Sequence, residues 1–374
     1  MNDPSLAASL LTLGDPQRVT GGNLYNLRLA EAAPHHGVTL TFVSYPHRRF
    51  PLPAIAGRRV RRSALPADVL VVDSIVAAYA APWAIPEARH RPVVALVHQP
   101  PGGMEGGRAH RALQGVLDRA FYRRAAAVVA ASDSLAEDLV TAGVAEHRVT
   151  VVPPGADDLP LRADRTTDTG CIGAVDLRGG RQAALLAAGA WVPRKGILEL
   201  LDAFARLPAS AATLHLAGDT AADGRYAARV RRRLGRPELA GRVVVHGVVP
   251  PADLRVLYRA ADAFALASTV EPYGTVYGEA LAAGLPVVGW RAGNLPHLIT
   301  EGREGLMAEP GDIEGLARAL LEVSTDEERR AHLATAAATC GARLPQWDST
   351  VASFFAVLQA SARQVVTKAA EDTR

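Results

Sequence analysis

The sequence predicts an α/β protein built from two parallel-sheet domains. Its 374 residues exceed the size at which one hydrophobic core keeps growing, so two domains of roughly 150–200 residues are expected. Short apolar runs alternate with longer amphipathic stretches in both halves, a pattern typical of parallel strands joined by helical crossovers. From Pro153 to about Arg181, Pro, Gly, Asp, Thr and Arg replace the periodic apolar residues, which indicates a domain link.

The first half alternates short apolar runs with longer amphipathic segments, and we expect it to form one domain over residues 1–160. The predicted strands are Ser9–Leu13, Val38–Ser44, Val69–Asp73, Val93–His98, Val128–Ala131 and Val149–Val152. The predicted helices are Asn23–Ala33, Arg108–Arg124 and Ser134–Ala142. A link over 161–182 then leads to a second domain.

The second domain is expected over residues 183–345 and repeats the alternation. Its predicted strands are Ala184–Ala190, Ala212–Ala217, Val243–Gly247, Ala263–Ala267 and Pro286–Trp290. Its predicted helices are Ile197–Arg206, Tyr226–Leu234, Asp253–Ala260, Val276–Ala283, Asp312–Val323 and Glu327–Gly341. A last helix is predicted over Ser349–Ala360, after an interruption around Trp347.

Composition limits the possible function classes. Hydrophobic residues make up 49% and charged residues 21%, which is ordinary globular composition and argues against extended disorder. Cys171 and Cys340 are too few for a disulfide framework or a zinc site and fit a reducing compartment. No apolar segment reaches the length of a membrane span. We therefore predict a cytoplasmic protein.

The formal net charge is only +3, but Arg58, Arg59, Arg61 and Arg62 form a local basic cluster. Such a cluster is either a solvated surface or a contact for an anionic partner. Nucleic acid is not expected as a partner, because no stripe of interleaved aromatic and basic residues accompanies the arginines. Peripheral contact with a membrane surface is compatible with the cluster.

Two carboxylates, Glu271 and Glu279, lie eight positions apart after the predicted strand Ala263–Ala267. The carboxyl end of a strand is where open α/β sheets bind their ligands. Between the carboxylates, Gly274 and Thr275 are expected to expose backbone N–H groups at a helix N-terminus, whose positive dipole suits phosphate oxygens. This spacing predicts a diphosphate site.

A carboxylate close to a phosphate is useful when it accepts hydrogen bonds from hydroxyl groups, so Glu279 is predicted to bind a ribose. Glu271 is then expected to face a sugar. The alternative is that Glu279 caps its own helix. A capping box places the Glu three residues after its Ser or Thr, whereas Thr275 precedes Glu279 by four.

The stretch Glu271–Val288 resembles the Glu-x7-Glu signature of the retaining family-4 glycosyltransferases, whose fold is GT-B. The resemblance covers most of Ala184–Glu309. Further family landmarks occur in the expected order along the second half: Val192–Gly196, Leu216–Asp219, His246–Gly247, Leu257–Asp262 and Arg291–Pro296. The resemblance implies two Rossmann-like parallel-sheet domains with an interdomain donor cleft, and a C-terminal helix over 346–365 that crosses back to the first domain.

In the family, a lysine in the Lys-Gly turn after the first strand of the second domain binds the donor diphosphate, and Lys195 matches it. A compact cation suits this task. The usual partner arginine follows the strand's glycine, but here Ala190 follows Gly189. Either Arg194 supplies the second cation or Arg194 is a solvent-facing residue of the turn.

Three features of the first half match the family as well. Gly21 and Gly22 resemble the Gly-Gly loop that lies against donor phosphate and acceptor, because glycine permits close backbone approach. His98 follows an apolar strand and matches the histidine that contacts the transferred sugar. Asp157 resembles the aspartate of a Pro-Gly-x-Asp segment, for which a structural role is expected.

The resemblance implies a retaining hexosyltransferase that moves a hexose-type sugar from a nucleoside-diphosphate sugar to an acceptor hydroxyl. UDP- and GDP-sugars are the favoured donors, and the sequence does not identify the acceptor. We expect no metal, since no Asp-x-Asp cluster is present, and no cofactor, since the sugar nucleotide is a substrate. The expected catalytic residues are His98, Lys195 and Glu271. The expected substrate-binding residues are Gly21, Gly22, Arg194, Lys195, Glu271, Gly274, Thr275, Val276 and Glu279.

Three other functions are alternatives to a glycosyltransferase. A nicotinamide-dependent oxidoreductase would suit two Rossmann-like domains, but no Gly-x-Gly-x-x-Gly follows a strand. A non-catalytic sugar-nucleotide binder is compatible with the departure at Ala190. A phosphorylase or a nucleotide-sugar epimerase on the same scaffold would differ in its acceptor, which is phosphate for the former and is not needed by the latter.

Overall fold

The computed structural model describes residues 6–17, 21–47, 51–104, 106–156 and 176–371; for Gly21 and residues 364–371 it describes the backbone alone. The chain divides into two compact units. Unit 1 comprises Met1–Gly155 and Pro345–Arg374, and unit 2 comprises Ala156–Leu344. The predicted link over 161–182 lies largely outside the described residues, so its bounds stay a prediction.

Unit 1 contains a six-stranded parallel sheet in the order β2-β1-β3-β4-β5-β6. Its strands are β1 Leu6–Leu13, β2 Val38–Tyr45, β3 Val69–Asp73, β4 Val93–Val97, β5 Ala127–Ala130 and β6 Val149–Val151. Its helices are α1 Gly21–Ala32, α2 Gly57–Ala64, α3 Ala77–Glu87, α4 Arg108–Tyr122 and α5 Asp133–Thr141, together with the last helix of the chain, α13 Trp347–Glu371. Strands β3 and β4 are buried along their whole length, as expected for the middle of a sheet covered on both faces.

Two apolar layers flank this sheet. One face packs against α3, α4 and α5 through residues such as Ala80, Phe121 and Leu135. The other face is covered by α1 and α13, where Phe354 and Phe355 are at most 1% exposed. The prediction that the C-terminal helix joins the first domain is therefore confirmed.

Unit 2 contains a second six-stranded parallel sheet, in the order β12-β11-β10-β7-β8-β9. Its strands are β7 Ala183–Ala188, β8 Ala212–Ala217, β9 Val243–Gly247, β10 Ala263–Leu266, β11 Val287–Trp290 and β12 Gly305–Ala308. Its helices are α6 Ile197–Phe204, α7 Gly224–Leu234, α8 Pro251–Ala260, α9 Thr275–Ala282, α10 Leu295–Leu298, α11 Ile313–Thr325 and α12 Glu327–Gly341. The predicted class, two Rossmann-like α/β domains, is confirmed.

Each sheet reverses its strand order once, and ligand sites of open α/β sheets lie at such a reversal. In unit 1 the reversal lies between β1 and β3, and in unit 2 between β7 and β10. Open α/β sheets bind ligands outside the carboxyl ends of their strands at such a point, because the two following loops diverge to opposite faces and leave a crevice. We therefore expect the functional residues to lie in the loops after β1, β3, β7 and β10.

Candidate functional site

Lys195 and Glu271 meet at the reversal point of the unit 2 sheet. Lys195 ends a 3-10 turn, Pro193–Lys195, that follows β7, and Glu271 lies in the loop after the neighbouring strand β10. The Nζ of Lys195 is 2.5 Å from Oε1 of Glu271. Both residues are buried, at 7% and 6% exposure. Two residues separated by 75 others in the chain thus form one ion pair at the predicted ligand edge.

Arg194 and Ser268 complete this cluster. Nη1 of Arg194 lies 3.3 Å from Oε1 of Glu271 and 3.2 Å from the carbonyl oxygen of Val270. The Ser268 hydroxyl is 2.9 Å from the same Oε1. Two cations facing one carboxylate leave an excess of positive charge, which favours an anionic ligand. Arg194 is 32% exposed at its side chain, so it can still reach such a ligand.

Glycine residues let the lysine turn approach the sheet closely. Gly196 has φ +64°, and a Cβ added there would overlap the carbonyl oxygen of Ala267. At Gly189, an added Cβ would lie 3.2 Å from the Cδ and Cε atoms of Lys195. The absence of a side chain at Gly189 therefore leaves the path along which the lysine stem reaches Glu271. Ala190, beside it, has no cationic group, and Arg194 is the second cation that the structure brings to Glu271.

The N-terminus of α9 lies four residues after Glu271. Gly274 has φ +82° and precedes the helix, and the first N–H donated within the helix is that of Tyr277, to the carbonyl oxygen of Gly274. The N–H groups of Thr275 and Val276 come before this first bond, as the leading N–H groups of every helix do. The predicted phosphate-binding amides therefore lie at a helix N-terminus, as the sequence indicated.

Glu279 lies one turn further along α9 and is partly buried. The hydroxyl of Tyr258 donates to Oε2 of Glu279 at 2.7 Å. Burial raises the pKa of Glu279, while the Tyr258 hydrogen bond and the charge of Lys195 lower it. The recorded partner of Glu279 is thus a tyrosine of α8, which disfavours the alternative that this carboxylate caps its own helix.

The loop after β11 fixes the backbone around Glu271. The N–H of Asn294 donates to the carbonyl oxygen of Glu271 at 3.0 Å, and Nδ2 of Asn294 donates to the carbonyl oxygen of Tyr273 at 2.8 Å. Gly293 has φ +56°, and a Cβ there would approach the Glu271 nitrogen to 2.8 Å. These contacts hold the loop in one conformation.

Sequence reasoning assigned no role to Ser268, Tyr258 or Asn294. Tyr258 and Asn294 lie within the landmarks Leu257–Asp262 and Arg291–Pro296, so their position in recurring segments was the available signal. Ser268 carried no signal of its own. All three donate hydrogen bonds to Glu271, to Glu279 or to the loop between them, and so they position the predicted binding residues.

In unit 1, His98 directly follows β4 and lies beside the reversal point of that sheet. Its backbone N–H donates to Oγ of Ser74 at 3.1 Å, and Nε2 of its imidazole is 3.3 Å from Oδ1 of Asn26. Nδ2 of Asn26 donates to Oδ2 of Asp73 at 2.7 Å. The ring of Tyr25 contacts the imidazole edge-on, with ring centroids 4.9 Å apart. His98 is therefore held at the carboxyl edge of the sheet by Tyr25 and Asn26 of α1 and by Ser74, which directly follows β3.

Burial lowers the pKa of His98, although the negative charge of Asp73 opposes the shift. Asn26 and Asp73 are buried, at 1% and 4% exposure, and were not identified from the sequence. The neutral imidazole can donate one hydrogen bond and accept another. Such a group can bind a hydroxyl without introducing a fixed charge.

The position of the Gly-Gly pair differs from the prediction. Helix α1 begins at Gly21, so Gly21 and Gly22 form its first turn, whereas the sequence predicted a Gly-Gly loop before a helix that begins at Asn23. A Cβ at Gly22 would lie 3.5 Å from the ring of His98. The pair nevertheless lies at the N-terminus of the helix that follows β1, beside the histidine. Glycine has poor helix propensity, which explains the late predicted start.

Several expectations fall on residues outside the described ranges or concern absences. Asp157 and Cys171 lie outside the described residues. Among the residues that the structure describes, no group of three or more His, Cys, Asp or Glu side chains could hold a metal ion. Within the same ranges, no helix is both long and apolar enough to cross a bilayer.

Two family models match this chain, one for each half. "Glycosyl transferases group 1" matches residues 176–339, which include Lys195, Glu271 and Glu279. "Glycosyltransferase Family 4" matches residues 10–158, which include Gly21, Gly22 and His98. Residues 176–339 therefore belong to the group 1 glycosyltransferases, and residues 10–158 to glycosyltransferase family 4. The family predicted from the Glu-x7-Glu stretch is confirmed.

Curated relatives of this chain include glycosyltransferases and synthases with different names. It is 35% identical over 248 residues to a D-inositol 3-phosphate glycosyltransferase of Xylanimonas cellulosilytica, a match of 62% of this chain and 57% of the relative. It is 30% identical over 253 residues to a mannosylfructose-phosphate synthase of Agrobacterium fabrum, covering 64% of this chain and 54% of the relative. The chain thus spans about half the length of the curated relatives it matches.

Solved structures confirm the GT-B fold over nearly the whole chain. Sucrose-phosphate synthase from Thermosynechococcus elongatus superposes with a TM-score of 0.77 at 19% identity, covering 95% of this chain and 98% of the other. Anabaena HepE in complex with UDP superposes with a TM-score of 0.73 at 20% identity, covering 94% of this chain and 100% of the other.

Proposed function

We propose that this chain is a retaining, metal-independent glycosyltransferase that moves a hexose-type sugar from a nucleoside-diphosphate sugar to an acceptor hydroxyl. The observation that carries the proposal is the cluster of Lys195, Arg194 and Glu271 beside the N-terminus of α9. It combines excess positive charge, the leading N–H donors of a helix, and two carboxylates, of which Glu271 is buried and Glu279 is partly buried. A sugar nucleotide needs these three features together for its diphosphate, ribose and sugar.

The diphosphate is bound by cations and amides. Lys195 carries three N–H donors, so it can hold Glu271 and phosphate oxygens at the same time. The N–H groups at Gly274, Thr275 and Val276 add the favourable end of a helix dipole. Because these donors are fixed before the reaction, they stabilise the negative charge that develops on the departing diphosphate. No metal ion and no cofactor are needed for this neutralisation.

The two carboxylates bind hydroxyl groups. Glu279, held by Tyr258, accepts hydrogen bonds from the ribose. Among the described residues, the side-chain contacts of Glu271 go to Oε1, and we assign Oε2 to the hydroxyls of the transferred sugar. A carboxylate neutralised by two cations is a weak nucleophile. This supports a reaction without a covalent enzyme intermediate, in which the acceptor approaches from the face that the diphosphate leaves.

We assign His98 to contact with the transferred sugar, because its lowered pKa keeps the imidazole neutral and able to hydrogen-bond a hydroxyl. A UDP-sugar or GDP-sugar is the proposed donor. Anabaena HepE has been solved with UDP and with UDP-glucose, which supports the uridine nucleotide as the first donor to test. The acceptor is proposed only as a hydroxyl compound.

One specific observation favours a second candidate, a protein that binds sugar nucleotides without catalysis. Ala190 occupies the place of the usual arginine, so the diphosphate site has lost one cation unless Arg194 replaces it. Losing one preorganised donor typically costs about 10²–10³ in turnover. The two candidates therefore differ in what Arg194 does.

The test measures nucleotide binding and turnover in the same variants. Thermal shifts are recorded with UDP, GDP, ADP and NAD for the wild type, Lys195→Ala and Arg194→Ala, with Arg232→Ala on the exposed surface of α7 as the matched control. A nucleotide at about 100 times its Kd stabilises by ~2.7 kcal/mol, which is easily detected. We expect a shift with one nucleoside diphosphate, lost in Lys195→Ala and retained in Arg232→Ala.

Turnover is then measured as release of that diphosphate from its sugar nucleotide, in chelator, with a panel of hydroxyl acceptors. Lys195→Ala is expected to lower turnover at least ~100-fold, since Lys195 acts most strongly on the leaving diphosphate. Near-normal turnover in Lys195→Ala would contradict the assignment. A nucleotide shift without turnover, unaffected by Arg194→Ala, would favour the non-catalytic binder, and release that requires inorganic phosphate would identify a phosphorylase.

A further inference from the structure

A stretch of unit 1 concentrates positive charge that the proposed reaction does not use. Residues 32–67 contain six arginines and no Asp or Glu, whereas the whole chain has a formal charge of only +3. Four of these arginines, Arg58, Arg59, Arg61 and Arg62, lie on α2. Such a one-sided distribution produces a local positive potential even in a nearly neutral protein.

The fold of α2 directs these arginines to solvent. Val60 and Ala64, four residues apart on the same side of the helix, are buried at 3% and 0% exposure. The four arginines are exposed. Arg61 is partly neutralised, because its Nη2 lies 3.4 Å from Glu87. No ion pair is recorded for the other three within the described part of the chain.

Two large apolar side chains are exposed beside the arginines. The 3-10 turn Leu52–Ala56 runs directly into α2, and there Ile55 is 78% exposed and Leu52 is 47% exposed. Ile55 is the most exposed large hydrophobic residue among those described. An exposed isoleucine next to unpaired arginines combines the two chemistries of a peripheral membrane contact.

We propose that the surface formed by Leu52, Ile55, Arg58, Arg59, Arg61 and Arg62 docks this protein onto bilayers that contain anionic lipids. The arginines are attracted to the negative headgroups, and Ile55 and Leu52 enter the boundary between headgroups and acyl chains. The partner is an anionic bilayer rather than a nucleic acid, because the described residues of this surface present apolar aliphatic side chains and, among themselves, no exposed aromatic ring for base stacking. The docking does not depend on the proposed transferase activity.

Helix α7 of unit 2 provides a matched comparison within the same protein. It is also rich in arginine, and Arg225 and Arg232 are exposed. Its flanking residues include the carboxylates Asp223 and Glu238, and no large hydrophobic residue is exposed on it among the described side chains. If positive charge alone brought the protein to a bilayer, α7 would contribute as much as α2.

The experiment measures partition of the full-length chain onto phosphatidylcholine vesicles with and without about one third phosphatidylglycerol, at low and high salt. The variants are R58Q/R59Q/R62Q, I55S and the control R225Q/R232Q. Each arginine near an anionic bilayer contributes roughly fivefold, so the triple variant should lose about 100-fold in partition. I55S should lose about tenfold, since its apolar surface no longer enters the bilayer. R225Q/R232Q should match the wild type.

Other outcomes overturn the proposal. Wild type that does not bind the anionic vesicles at low salt, or that binds the neutral vesicles equally well, contradicts an anionic docking surface. Loss of binding in R225Q/R232Q equal to that in R58Q/R59Q/R62Q shows a general charge effect. Full binding by I55S shows an electrostatic polyanion contact instead of bilayer docking.

All substitutions are at exposed positions. Unchanged melting temperatures therefore verify that each variant is folded, and unchanged nucleotide thermal shifts verify that the result is independent of the donor site.

Discussion

Asp118 shows what a single buried residue can do to stability. It lies on α4 at 1% exposure, and its Oδ2 accepts the N–H of Gly102 at 2.9 Å. Burial raises the pKa of Asp118 to about 7, although hydrogen bonds from Gly102 and Gln114 lower it. Gly102 belongs to the loop after His98, so this carboxyl supports the segment that carries the histidine.

The raised pKa gives stability a defined dependence on pH. The folded state holds a proton on Asp118 up to about pH 7, whereas the unfolded chain releases it near the ordinary aspartate pKa of 3.8. The stabilising contribution is therefore fully present below about pH 4 and is lost as the pH rises to about 7. Asp118→Asn removes this dependence, since the amide keeps an acceptor for Gly102 and does not titrate.

We accordingly expect the free energy of unfolding of Asp118→Asn, relative to the wild type, to increase by about 2–3 kcal/mol between pH 5 and pH 8. Urea denaturation at four pH values measures it. Asp133→Asn, at an exposed position at the start of the neighbouring helix α5, is the matched control for the Asp-to-Asn substitution itself. A constant difference for Asp118→Asn would show that the carboxyl titrates normally.

The residues of the donor site were only partly predictable from the sequence. Lys195, Glu271 and Glu279 each lie within a segment of recognisable spacing, and local spacing is what a sequence records. Their mutual contacts, such as the 2.5 Å pair between Lys195 and Glu271, join loops from two strands. The hydrogen bond from Tyr258 to Glu279 likewise depends on how α8 packs against α9. These contacts follow from tertiary packing, which no local pattern contains.

At the scale of elements, most strands were predicted within two or three residues, because buried parallel strands appear as short apolar runs. Four of the labelled elements were not predicted, among them the four-residue helix α10. Helix α3 contains Pro82 and Pro86, which normally argue against a helix. Helix α2 has only two buried residues among its arginines. Strand β12 is four residues long and begins with Gly305. In each case packing against the sheet overrides a weak local signal.

The turn that carries Lys195 depends on Gly196. An alanine there would need a left-handed conformation and would overlap the carbonyl oxygen of Ala267 on the neighbouring loop. We expect Gly196→Ala to shift Lys195 away from Glu271 and to lower both the melting temperature and the nucleotide thermal shift. The loss of stability should be at least ~1–3 kcal/mol.

Gly224→Ala is the matched control for this element. Gly224 begins α7, has no positive φ, and an added Cβ there meets no atom within 4 Å. It should leave stability unchanged or raise it by about 0.4–1 kcal/mol, because alanine reduces the entropy of the unfolded chain. Equal melting temperatures and equal nucleotide shifts for Gly196→Ala and the wild type would contradict a role for the close contact.

At the scale of the whole molecule, α13 completes unit 1 from the far end of the chain. Phe354 is fully buried against residues of the sheet and of α1 such as Leu10 and Leu29. The hydroxyl of Thr350 donates to the carbonyl oxygen of Pro153 at 2.8 Å. Helix α13 is thus part of the core of unit 1 rather than an appended tail.

Phe354→Ala should therefore destabilise unit 1 by about 3–5 kcal/mol, the usual cost of removing a buried phenylalanine side chain. Hydrogen exchange measured by mass spectrometry should show faster exchange in β1, β3 and β4. The control Ser353→Ala changes an exposed neighbour on the same helix and should leave the exchange of these strands unaltered. Unchanged protection in Phe354→Ala would show that α13 is dispensable for the core.

Since unit 2 is inserted between the two segments of unit 1, the order of synthesis constrains the order of folding. When the ribosome has produced the chain as far as Gly155, α1 is present, but the part of the sheet face that later binds Phe354 and Phe355 is still uncovered. About 190 further residues must be translated first, which takes roughly 10–40 s at 5–20 residues per second. Unit 2 has its own core within one continuous segment and can fold during that interval. The nascent chain therefore exposes part of an apolar sheet face while residues 156–344 are translated, and a chaperone that binds such faces would protect unit 1 until α13 emerges.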